Sequence, residues 1–240
     1  MILLSLNKLM SKFIILICAL LIGNVYAKDI TATSWLVADY KGKVIDGENT
    51  EEVRSIGSIT KLVTVMIVLD AQQNLDEELG KFTRGQLIQL AIVHSDNRAA
   101  EVLCENYPSG YRGCISAMNN KVAGIGLQKT KFIDPTGLGV FNTSTADELL
   151  WLVMEASTYP EIVSASHMSE VIIKRKRKEQ HYSNTNPIVK TRNVIVSKTG
   201  YIRASGGCLV MMLNDRIVVL LNSKNTRTRA PEAEKLLARY

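Results

Sequence analysis

Residues 58–73, "SITKLVTVMIVLDAQQ", constrain the fold more than any other stretch. Leu62, Val65, Met66 and Leu69 recur at helical spacing, while Val63, Ile67 and Val68 fill much of the remaining circumference. A helix that is apolar nearly all round must be enclosed on every side, so the chain has to build layers around it. With 240 residues, 46% of them hydrophobic and 22% charged, there is enough chain to bury such a core as one globular unit.

The two ends supply strands. "TATSWLVADY", "KGK" and "VIDGEN" read as strand, turn and strand with Gly42 at the tight point. After residue 170, β character returns in "VIIKRKR", "NVIVSKTG", "GGCLVMML" and "IVVLLNS", the last two joined by Asn214-Asp215. Between them, helices are expected from Thr83 through "RGQLIQLAIVHS", over "RAAEVLCENY" capped by Asp96 or Asn97, from Ser116 to Val122 and from Thr145 to Glu155. A last helix follows Pro231. The expected class is α+β: an antiparallel sheet built from both chain ends, flanked by helices, with an inserted helical lobe.

The first 27 residues stand apart. Lys8 and Lys12 precede the apolar stretch from Phe13 to Gly23, and Val25-Tyr26-Ala27 offers a small-residue cleavage site. This reads as a cleavable export signal, followed by a single domain over 28–240. Translation from Met10 already yields a complete signal, which leaves Met1 and Met10 as alternative starts. The apolar stretch is too short to span a bilayer, and no stable membrane anchor is expected.

Two of the +6 net charges leave with the signal. The remaining excess suits an anionic surface such as a cell wall and argues for no nucleic acid. The densest basic run, Lys174 to Lys178, has no interleaved aromatics and reads as a solvated hairpin edge.

Export permits disulfides. Cys104 and Cys114 flank "ENYPSGYRG", a Pro- and Gly-containing turn that can bring them together, whereas Cys208 lies in an apolar strand as a buried thiol. No Gly-x-Ser-x-Gly elbow occurs, and His94, His167 and His181 lie in no zinc spacing. No metal or cofactor is expected.

Ser58 and Lys61 form a Ser-x-x-Lys element, which alone proves little: about one chance occurrence is expected in such a chain, and Ser5 to Lys8 is another. Ser95-Asp96-Asn97 and Lys198-Thr199-Gly200 change the odds, because the three elements occur together and in this order. With "SITKLVTVMIVLDA", "SDNRAAEVL", "AMNNKV", "FIDPTGL" and "NTSTADEL", the chain resembles the small D-alanyl-D-alanine endopeptidases and carboxypeptidases, penicillin-binding proteins of bacterial cell walls, and most of all the endopeptidase branch. The resemblance covers essentially all of residues 28–240 and implies a β-lactamase/transpeptidase-like fold.

Residue chemistry fits what the resemblance implies. Residues three apart share a helix face, so Lys61 can take the proton of Ser58 once burial and a second cation, Lys198, lower its pKa. By resemblance, Ser95 relays the proton, Asn97 bonds the substrate amide and Lys61, Thr199 meets the substrate carboxylate, and Tyr201 supplies an oxyanion N–H beside that of Ser58. Gly200 is expected to be bare so that an extended substrate can lie alongside its strand.

The resemblance also implies the setting: a periplasmic enzyme acting on peptidoglycan stem peptides, cleaving the D-alanyl to diaminopimelate cross-link through acyl-Ser58, and acylated by β-lactam inhibitors. The alternatives are a D-Ala-D-Ala carboxypeptidase, a β-lactamase and a non-catalytic penicillin sensor. "IDPTGLG" contains no Glu to serve as a deacylating base, and Asp134 reads as a turn former beside Pro135.

Overall fold

The two ends of the chain meet in one sheet. In the computed structural model, which describes residues 30–175 and 178–240, strand β1 (Ser34–Asp39) pairs antiparallel with β11 (Arg216–Ser223), from Ser34 opposite Leu221 to Asp39 opposite Arg216. The hairpin partner β2 (Val44–Glu48) lies outside β1, and β10 (Gly206–Leu213) and β9 (Val194–Ile202) lie beyond β11. The resulting order is β2-β1-β11-β10-β9, all antiparallel, so β9 is an edge strand. Asp39 sets the first turn by accepting from the N–H groups of Lys41 and Lys43, each at 2.9 Å, with Gly42 at φ 85°.

Successive residues of a strand face opposite sides of the sheet. Val218, Val219 and Leu220 are all fully buried, so both faces are covered. Among the covering elements are the helix Ala146–Ala156, which packs on β1, β10 and β11, and the C-terminal helix Arg229–Arg239, which packs on β10 and β11.

The apolar segment forms a 3₁₀ turn, Gly57–Thr60, leading into α1 (Lys61–Asp70), which is buried from Lys61 through Val68. Ser58 therefore sits in the tighter turn before the α-helix, not in its first turn. Helix α2 (Arg84–Gln89) starts with a capping box between Thr83 and Gln86 and runs on as a π-turn, Leu90–His94. The π-turn stops at Ser95, a non-glycine residue in the left-handed region at φ 61°. Asp96 then caps α3 (Asn97–Glu105) by accepting from Ala99 N at 2.8 Å.

Helix α4 (Gly110–Gly124) begins six residues before the expected Ser116. The Gly110 and Gly113 pair that reads as turn lies within it, and a disulfide joins Cys104 on α3 to Cys114 on α4. The expected helix at Thr145 is α5 (Ala146–Ala156), capped by Thr145. A short helix, α6 (Pro160–His167), went unread in the sequence although Pro160 and Glu161 mark its start. The C-terminal helix is α7 (Arg229–Arg239), opening two residues before Pro231.

Short pairs complete the fold: β3 (Arg54–Ser55) with β6 (Thr143–Ser144), β4 (Glu78–Leu79) with β5 (Phe82–Thr83), and β7 (Glu170–Arg175) with β8 (Lys178–Ser183). The basic run thus straddles a hairpin, with residues 176–177 outside the described residues. The proposed signal, residues 1–27, also lies outside them. Among the described residues no helix is long and apolar enough to cross a membrane.

Candidate active site

Three separate elements converge at the head of α1. Lys61, fully buried, donates from Nζ to Ser58 Oγ at 2.9 Å, to Asn97 Oδ1 at 2.8 Å and to the carbonyl of Thr136 at 2.6 Å. On the facing strand β9, buried Lys198 donates to Ser95 Oγ at 2.8 Å and to the Thr199 carbonyl at 3.0 Å. All three motifs therefore border one cleft, and each serine hydroxyl accepts from a lysine.

The two lysines differ from ordinary surface lysines because burial opposes their charge. Burial takes Lys61 down to about 7, against the pull of Asp134, Asp96 and Glu101 toward higher values. Lys198 lies well below its usual value, first through burial, then through repulsion by Lys61 and Arg229. Of the two expected causes, burial is the one that depresses Lys61, whereas the repulsion between the two lysines falls on Lys198.

Glycine geometry explains how Ser58 is placed. A side chain on Gly200 would press on the Ile56 carbonyl and come within 3.1 Å of Ser58 N. Gly200 is thus needed to let β9 approach the Ser58 turn, a reason that precedes any substrate. From the other side, Gly57 stands in the left-handed region with Tyr201 N only 3.0 Å from where its Cβ would be. The backbone N–H groups of Ser58 and Tyr201 are thereby held in the same small space, as an oxyanion would require.

The 133–142 loop closes the floor. Asp134 accepts from Thr136 N, Thr136 Oγ1 and Gly137 N, each at 2.7 Å, and from Gly139 N at 3.0 Å. Burial raises its pKa, but these four bonds overcome that and hold the carboxyl below its usual value. Asn142 ties the loop to the 3₁₀ turn before α1 by donating to Thr60 Oγ1 at 3.1 Å, and ties the loop to itself by donating to the Asp134 carbonyl at 2.8 Å. The result is to aim the Thr136 carbonyl at Lys61.

Several of these groups were not legible as site residues. Thr136 acts through its backbone, and Asn142 lies far from the motifs in sequence. Arg229, at the start of α7, donates to the Gly200 carbonyl at 2.9 Å from a largely buried position. Burial lowers its pKa while Cys208 acts the other way. Its signal was weak, one Arg among "NTRTRAP". Thr185, whose Oγ1 lies 2.6 Å from Thr199 Oγ1, gave none.

His94 lies exposed at the end of the π-turn, its Nδ1 3.1 Å from the Ser183 carbonyl. Cys104 and Cys114 are buried away from the cleft, about 10 Å along α3 from Asn97 by helical rise. No three metal-ligating side chains gather among the described residues.

A family profile described as D-alanyl-D-alanine carboxypeptidase matches residues 23–79 and 75–224. The chain belongs to that family. It is a serine hydrolase of the group, with Ser58 in the Ser-x-x-Lys position. Among curated relatives, the D-alanyl-D-alanine endopeptidase of Escherichia coli (strain K12) is 34% identical over 220 residues, 80% of this chain and 71% of that protein. The D-alanyl-D-alanine endopeptidase of Pseudomonas aeruginosa is 34% identical over 209 residues, covering 77% and 67%. The fold is that of the Streptomyces K15 DD-transpeptidase, with a TM-score of 0.81 at 23% identity over 87% of this chain and 96% of that one. Penicillin-binding protein D2 of Listeria monocytogenes, solved with ampicillin bound, gives 0.78 at 23% identity over 87% and 96%.

Proposed function

We propose that this protein is a periplasmic DD-endopeptidase that hydrolyses the D-alanyl to diaminopimelate cross-link of peptidoglycan through an acyl-Ser58 intermediate. The observation that carries the reading is the 2.9 Å bond between Ser58 Oγ and a buried Lys61 whose pKa is lowered to about 7. A lysine so placed is half neutral near pH 7 and can accept the serine proton.

The steps follow from the positions. Lys61 takes the proton as Ser58 Oγ bonds to the D-alanyl carbonyl carbon. The Ser58 and Tyr201 N–H groups receive the developing oxyanion. On collapse the C–N bond breaks, the leaving amine takes the proton of Ser95, which Lys198 supports, and Ser95 is reprotonated by the proton Lys61 took from Ser58, so that Lys61 is neutral again. Water then enters and its oxygen bonds to the acyl carbon as neutral Lys61 takes its proton; the ester C–O bond breaks, Lys61 returns that proton to Ser58 Oγ, and the D-alanyl carboxylic acid leaves.

In the cross-link, as in a terminal D-alanine, the scissile nitrogen stands on a carbon that also bears a carboxylate. We assign Thr199 as the hydroxyl that donates to it, and an anion nearby would relieve the mutual repulsion of Lys198 and Arg229. The edge position of β9 supports binding of the substrate as an added strand.

A β-lactamase of the class A kind would need a deacylating Glu in the 133–142 loop. Asp134, its acidic group, is occupied by four bonds that hold the loop together.

Product analysis by mass spectrometry, on cross-linked muropeptide dimers and separately on pentapeptide monomers, tests the proposal. Dimer cleavage that disappears in Ser58→Ala is expected. Release of terminal D-alanine only would make the protein a carboxypeptidase, and no turnover in the native protein would make it a sensor.

A further inference from the structure

We propose that Thr185 is a positioning residue, which orients the Thr199 hydroxyl toward the carboxylate of the substrate; this rests on the reading of Thr199 given above. The segment that holds Thr185 bridges the two walls of the cleft. Its backbone N–H donates to the Val93 carbonyl at 3.0 Å, two residues before Ser95. Its side chain reaches the other wall, 2.6 Å from Thr199 Oγ1.

The backbone around Thr185 is held on both sides. Asn184 N donates to the Ser169 carbonyl at 2.8 Å and Asn184 Nδ2 to the Met168 carbonyl at 2.8 Å. Asn184 Oδ1 accepts from Asn186 N at 2.8 Å, and Asn186 Oδ1 accepts from Ile188 N at 3.2 Å. The Thr185 hydroxyl is therefore delivered to Thr199 from a fixed frame.

Proton direction gives the pair its consequence. A carboxylate only accepts, so Thr199 must donate to it. One hydroxyl carries one proton, and Thr199 cannot donate to both Thr185 and substrate. Thr185 is consequently the donor, its O–H filling a lone pair of Thr199 Oγ1 and leaving the Thr199 proton aimed into the cleft. Without Thr185 the Thr199 hydroxyl is free to rotate toward other acceptors.

Thr185→Val removes the hydroxyl at nearly constant shape, and Thr185→Ser keeps it. The test compares two thioester acyl donors that differ only in whether the leaving thiol carries a carboxylate, with Thr199→Val alongside. Thr185→Val is expected to lower kcat/KM about tenfold on the carboxylate-bearing donor, the scale of one hydrogen bond to a charged group, and to leave the other donor within about twofold. Thr185→Ser should recover most of the loss.

Equal losses on both donors, or none, would overturn the proposal by reducing Thr185 to a structural role. If Thr199→Val shows the carboxylate preference and Thr185→Val does not, only this inference fails. If Thr199→Val shows no preference either, the reading of Thr199 fails and takes this one with it.

Discussion

Burial of Lys61 makes a pH prediction that can be worked through. An ordinary lysine near 10.5 would be neutral to about 0.03% at pH 7, whereas one at about 7 is about half neutral, a gain of some three orders of magnitude in the base form. The rate of Ser58 acylation should follow that neutral fraction, about a tenth of its plateau at pH 6 and about nine tenths at pH 8. The assay is stopped-flow or gel-based acylation by a fluorescent penicillin, run as a second-order rate constant from pH 5.5 to 9. Lys61→Arg, which keeps a cation but cannot yield a neutral base, should lose acylation at every pH. A flat profile, or one still rising tenfold per pH unit at pH 9, would refute the reasoning, because either would mean that the titrating base is not a buried lysine near 7.

Other substitutions probe the supports. Asp134→Asn removes a charge that holds Lys61 up, so the midpoint of the acylation profile should move to lower pH; it also weakens bonds to Thr136, Gly137 and Gly139, and a loss of roughly 2 kcal/mol in denaturant unfolding is expected. Gly200→Ala should displace the Ser58 turn and slow acylation about a hundredfold, read with the same penicillin assay. Lys198→Met should abolish acylation yet stabilise the fold. Because the folded state holds Lys198 below its unfolded pKa, the unfolded chain binds more protons between the two values and native stability rises with pH there; the Met variant lacks this burden, so its gain in Tm should be roughly 4 °C at pH 6 and fade toward pH 10. Reduction of the Cys104–Cys114 bond, a loop of 10 residues in sequence separation, should lower stability by about 2–3 kcal/mol in thermal unfolding.

The strands and the central helix were legible because their apolar periodicity is local: Leu36 to Ala38 and Ile217 to Leu221 could only be enclosed strands, and Leu62 to Val68 only an enclosed helix. Ser58, Lys61, Ser95, Asn97 and Lys198 could be picked out because three short motifs occur together in an order that resembles a known family, while no single spacing among them is telling. Groups that act across the fold left no such trace. The Thr136 carbonyl has no side-chain identity to read, and the link from Thr185 to Thr199 exists only once the β7–β8 hairpin has folded back against the π-turn. Gly200 could be read from sequence only as room for an extended substrate; its close approach to Ile56 and Ser58 is a tertiary contact that no spacing reveals. The start of α4 was missed because Pro108, Gly110 and Gly113 read as a loop, whereas Gly110 at φ 65° opens the helix and Cys114 anchors it to α3.

Peptide mapping of the penicillin-treated protein by mass spectrometry bears most directly on the role given to Ser58. A single adduct on Ser58, absent from Ser58→Ala, is the expected result. An adduct on another residue, or labelling that persists in Ser58→Ala, would contradict the account.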